Sequence, residues 1–171
     1  MTLFLNPMID RIRTACLTVP RRKDWLWAGG LLLLYALIYL PIGFHLGFLQ
    51  VSPQSGWQTI IGVTAQAFLM PGLLEELGFR VLPIPHPKET VAASVRWFWV
   101  VLSWLLFLVY HLNPFAPLFF SEPAFLIGAG LLGGVCTISY LQSGSLWTPV
   151  AIHWLSVVTW LLFLGGLEKF Q

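Results

Sequence analysis

Fifty consecutive residues, Trp25 through Leu74, contain no Asp, Glu, Lys or Arg. A soluble fold cannot build a wetted surface from such a stretch. A bilayer needs one, because about 20 apolar residues in a helix cross its hydrocarbon core. The rest of the chain agrees: 57% of its 171 residues are hydrophobic and only 9% are charged, where a soluble domain carries about 25%. The composition therefore predicts an all-α fold, a polytopic transmembrane bundle in one domain with no separate soluble unit. Membrane lipid is its first partner, and nothing in the small net charge of +2 points to nucleic acid. Cys16 and Cys136 form no CxxC pair and imply no disulfide framework.

Residues 1–24 form a basic leader. Arg11, Arg13, Arg21, Arg22 and Lys23 stand against Asp10 and Asp24, so the positive-inside rule keeps this end cytoplasmic. Five spans are expected to follow. The first runs from Trp25 to about Leu49 and, with its outer turn, fills residues 25–56; His45 in it reads as interfacial. The second runs from Trp57 to about Leu82, kinked at Pro71-Gly72. The alternating prolines of 83–89 exclude helix and make a stiff connector, with His86 exposed in it. Trp97 to Leu112, Ala124 to Leu141 and Leu146 to Leu167 complete the set. Gly130 and Gly134 form a small-xxx-small pair suited to helix packing. The charged loops alternate with the leader's side in agreement with the rule, and the short leader without appendages fits a bacterial inner membrane.

Against this apolar background, Glu75, Glu76, Arg80, His111 and His153 stand inside or at the ends of spans. Ionisable groups there cost at least a few kcal/mol each and mark functional sites by default. On a helix, Glu76 and Arg80 lie four apart and can pair. Glu75 points about 100° away and is left free to face a cavity. Phe107 lies one turn before His111 on the same helix face.

One Glu and two His on separate helices support two chemistries. In one, Glu75 and His111 activate a water and His153 donates to the oxyanion formed on an amide. In the other, Glu75, His111 and His153 bind zinc, whose open position holds the water. HExxH is absent, and the spacing does not separate the two. Depth is a constraint on both. On straight, upright helices Glu75 near the inner end of span two and His111 near the outer end of span three would stand about 10–15 Å apart. A kink, a tilt or a buried start to span three is needed to bring them level.

Glu75-Glu76-Leu77-Gly78-Phe79-Arg80, then Phe107 to His111, then Ser145-Leu146-Trp147 through His153, follow the order EExxxR, FxxxH and a helix with a buried His. This pattern resembles the CPBP family of intramembrane endopeptidases, which includes the CAAX prenyl proteases and the bacteriocin-processing Abi proteins. The resemblance covers about residues 57–167 and marks residues 57–171 as the helices of the catalytic core. It implies glutamate-dependent hydrolysis of a membrane-bound or lipidated peptide without a required metal. Glu75 would activate water with His111 as partner, Glu76 and Arg80 would orient it, and His153 would serve the oxyanion. The chain departs from the pattern at Val157, where the family carries Asn or Asp. One lost oxyanion donor costs about two to three powers of ten in rate. Weak or lost activity follows as an expectation, and a non-catalytic immunity or scaffold protein that keeps the core is the alternative.

Overall fold

The computed structural model describes residues 5–170, and all of its regular elements are helices. They are α1 (Leu5–Leu17), α2 (Arg22–His45), α3 (Trp57–Ala67), α4 (Leu74–Glu76), α5 (Ala93–His111), α6 (Pro123–Ser143) and α7 (Trp147–Phe163). Four stretches are long and apolar enough to cross a bilayer: Arg22–His45, Trp57–Val81, Ala93–His111 and Pro123–Ser143. The shorter apolar helix Trp147–Phe163 makes the fifth. It ends four residues before the expected Leu167. Its chain instead turns through Gly165, at φ +78°, into a 3-10 turn over Leu167–Phe170. The third span starts earlier than Trp97, so that Arg96 is helical.

The bundle is built around α6. Its apolar window is 56% buried, against 22% for α2 and 17% for α5. It packs on α2, α5 and α7, while α2 and α5 turn large apolar side chains such as Leu33, Leu37, Phe98 and Leu105 outward. A polar solvent would expel those faces, and hydrocarbon accepts them. Three buried clusters stack along the bundle. One joins Ala15, Val81, Ile84, Tyr140, Leu146 and Val150; a middle one joins Ala28, Leu31, Leu132, Cys136 and Ile152; the third joins Tyr39, Phe48, Leu49, Phe119 and Ala124.

The expected kink is present. Met70, at φ −139° and ψ 114°, breaks helical geometry just before Pro71. The turns on either side of α4, Phe68–Leu73 and Leu77–Val81, are π-helical. Such wide turns insert extra residues and re-aim the helix face, and they recur at functional sites. Here they bracket both glutamates.

The small-residue face of α6 differs from expectation. Gly130 does meet α5, with a Cβ position 3.5 Å from Trp104, but a Cβ on Gly134 would meet nothing within 4 Å. The close approach is at Gly133 instead, where a Cβ would stand 3.0 Å from the Phe107 ring and 3.1 Å from Arg80 Nη2. Gly133→Ala is therefore expected to cost about 1–3 kcal/mol by overpacking, and Gly134→Ala to be neutral. Thermal unfolding of the two variants in detergent checks the contrast.

The leader and the proline connector are joined. Arg11 forks onto Glu89 through Nε and Nη2, at 2.6 and 2.9 Å, and donates from Nη1 to the Leu82 carbonyl at 2.9 Å. Trp147 Nε1 donates to Cys16 O and Ser145 Oγ to Thr18 O, at 2.8 and 2.7 Å. His86, expected to be exposed, is 2% exposed. Its Nδ1 accepts from the Lys88 backbone N–H, so Nε2 carries the proton and donates to Gly144 O at 2.9 Å. The connector is nonhelical, as its prolines require. It is pinned by Arg96, which donates to the carbonyls of Pro85, His86 and Glu89. Local composition could not reveal this burial, because the partners come from α1, α5 and the α6–α7 turn.

Partial burial pushes the Glu89 carboxyl up, but the Arg11 fork and the His86 backbone N–H outweigh it and hold the group below its ordinary value. A carboxyl held low stabilises the fold above its unfolded-state value, about 4.3, and loses that contribution as pH falls through the folded-state value. Wild type should therefore exceed Glu89→Gln in stability at pH 7, and the difference should shrink as the pH falls below the unfolded-state value and through the folded-state one. Unfolding midpoints across pH 3–7 read this out.

Candidate active site

Glu76 and Arg80 are the buried half of the site. They are 0% and 1% exposed, and Arg80 Nε lies 3.3 Å from Glu76 Oε2, the i,i+4 pair the spacing predicts. Nη2 of the same guanidinium donates to Gly133 O at 3.2 Å, and its carbon sits 4.4 Å above the Phe107 ring. A cation so deep is tolerable only with this set of partners. Glu76 Oε1 then accepts from His153 Nδ1 at 2.6 Å. That bond fixes the ring of His153, from the second turn of α7, and turns Nε2 toward Glu75.

Glu75 is 9% exposed, and its Oε2 lies 3.9 Å from His153 Nε2. That gap exceeds a direct hydrogen bond. Oε2 is itself buried and has no hydrogen-bond partner among the described residues. The helix twist separates the two carboxylates as expected: one is locked to a cation, and the other borders open space. That space is a cavity of about 510 Å³ whose walls include Glu75, His111, His153 and Val157. Its remaining lining is largely apolar and aromatic, with Tyr39, Phe125 and Trp160 among the walls. Met70, Tyr110 and Phe170 on its border are about half exposed, so the cavity reaches the outer surface of the bundle.

His111 ends α5 yet is 6% exposed. Its Nδ1 donates to the Phe107 carbonyl at 2.8 Å, which leaves Nε2 with its lone pair. The ring packs against Phe107, Phe120 and Phe125. It makes no direct contact with either carboxylate; the imidazole nearest Glu75 is that of His153. Glu75 and His111 nevertheless line one cavity, and the break at Met70 and the wide turns lie on the helix that carries Glu75.

The zinc reading requires donor atoms of Glu75, His111 and His153 around one point. Among the described residues, the donors that gather within 4.8 Å of one another are instead those of Glu76, Cys136 and His153. Arg80 already occupies the Glu76 side of that group with a fixed positive charge. Of Glu75, His111 and His153, only His153 is among the donors gathered in this way.

Several contributors escaped sequence reasoning. Cys136 lies beside Glu76 and His153 because α6 presents Gly133 and Cys136, three apart, on one face. Ser156, a nearby hydroxyl, borders the cavity but donates to its own helix at Ile152 O, 2.8 Å away. Gln66 also borders the cavity. It is a single amide within the apolar run of α3, and its polarity at membrane depth was the available signal.

The chain is a kinked helical membrane bundle with a buried carboxylate–imidazole cluster beside a largely apolar cavity. A family model described as type II CAAX prenyl endopeptidase, Rce1-like, matches residues 56–159, and the chain belongs to this family. It is thus an integral, multi-pass membrane protein of an endopeptidase class. No curated protein and no solved structure matches it.

Proposed function

We propose that the chain hydrolyses a peptide bond of a membrane-associated, lipidated substrate, using a water activated by Glu75. The observation that carries this reading is the position of Glu75. The residue lines the cavity, and its buried, unpartnered Oε2 lies 3.9 Å from an imidazole nitrogen whose ring is held by a second carboxylate. A water between Glu75 and His153 would give its proton to Glu75 as its oxygen attacks the scissile carbonyl carbon. The C–N bond then breaks, and Glu75 returns the proton to the leaving amine. His111, with its Nε2 lone pair turned from its own helix, accepts a hydrogen bond from the water or the substrate. His153, when its Nε2 is protonated, donates to the oxyanion. The apolar walls exclude bulk water and would accommodate a lipid chain attached to the peptide. The N-terminus faces the cytoplasm in this reading, in a bacterial inner membrane or a similar bilayer. Purified protein in liposomes should cleave a quenched-fluorescent farnesylated CAAX peptide, and Glu75→Ala and His111→Ala should each abolish most of that activity. Full activity in either variant removes the mechanism.

A further inference from the structure

Gln66 lies on the strip of α3 and the kink formed by Val63, Gln66, Ala67 and Met70, all of which border the cavity. Offsets of three, four and seven are one helix face. Gln66 is exposed, and among the described residues its amide makes no hydrogen bond. Trp160 Nε1 and Glu75 Oε2 on the same walls are also unpartnered but fully buried, while three further groups are committed. Ser156 Oγ donates to Ile152 O, His111 Nδ1 to Phe107 O and His153 Nδ1 to Glu76. A primary amide in an apolar setting is costly unless it is paired. A partner that arrives with the substrate satisfies it. An amide presents N–H donors and a carbonyl acceptor together, the same pair that an extended peptide backbone offers. Val157, on α7, supplies neither.

We propose that Gln66 binds the backbone of the substrate peptide in the cavity, donating from Nε2 to a substrate carbonyl and accepting at Oε1 from a substrate N–H. This rests on the cavity being the hydrolytic site. Gln66 then holds the peptide from the second span while His153 and Glu75 act on the scissile bond. It is a substrate-binding residue with no proton to transfer, so its removal acts on binding rather than on the chemical step.

The test uses the full chain in nanodiscs and a fluorescent farnesylated CAAX peptide. Binding is measured by anisotropy on the Glu75→Gln background, and turnover on the otherwise native chain. Gln66→Leu, similar in size and favourable in a span, should weaken binding and raise KM about tenfold, the loss of one or two neutral hydrogen bonds. Its kcat should stay within about threefold of native, since Gln66 transfers no proton. Gln66→Asn, which keeps the amide, should retain most of the affinity. Unchanged affinity in Gln66→Leu, equal losses in Leu and Asn, or a fall in kcat alone would overturn the assignment. Should Glu75→Gln still cleave, the hydrolytic reading fails by itself, and the binding comparison at Gln66 still reads separately.

Discussion

Glu75→Gln is expected to lower kcat on a farnesylated CAAX peptide by about 10²–10⁴-fold, the contribution of a positioned general base. Gln has nearly the same shape, so the cavity wall and the kinked turn should survive. The change removes only the ability to take a proton from water. KM should move little, because Glu75 is proposed to bind the water rather than the peptide. A variant within tenfold of native kcat would end the glutamate mechanism. Val157 makes the native rate itself informative. Its apolar side chain borders the cavity where the family pattern has Asn or Asp. Val157→Asn should then raise kcat if the oxyanion lacks a donor, by up to two powers of ten.

Arg80→Met should be the most destabilising single change in the protein. It removes the guanidinium but keeps much of the stem that packs on Phe107. Glu76, 0% exposed, would be left as a buried charge with only His153 to answer it. Breaking a buried pair from one side costs about 3–5 kcal/mol. For a chain of this length that lowers the unfolding midpoint by on the order of 10 °C. The double variant Arg80→Met with Glu76→Gln should recover a large part of the loss, because the carboxylate left without its cation is then removed. A single variant that melts like the native protein would mean that the pair contributes little. The two experiments separate the roles proposed within the doublet: Glu75 in the rate, and Glu76 with Arg80 in holding the site together.

What spacing within one helix can fix was legible. The apolar runs gave the spans, Pro71 the kink, and the 3.6-residue repeat both the Glu76–Arg80 pair and the divergence of Glu75 from it. Phe107 beneath His111 follows from the same repeat. What needed the tertiary structure lies between helices. The bond from His153 to Glu76, the thiol of Cys136 beside them and the close approach at Gly133 depend on how α6 and α7 are rotated against α4. Residue offsets on one helix carry no such information. Depth is the same kind of quantity: His111 is near the end of its own helix, yet buried, because Phe120 and Phe125 close over it. His86 looked like a loop residue and is a core one, since α1, Arg96 and Gly144 meet around it. Sequence thus determined which groups lipid would force to find partners. Packing decided which partner each one found.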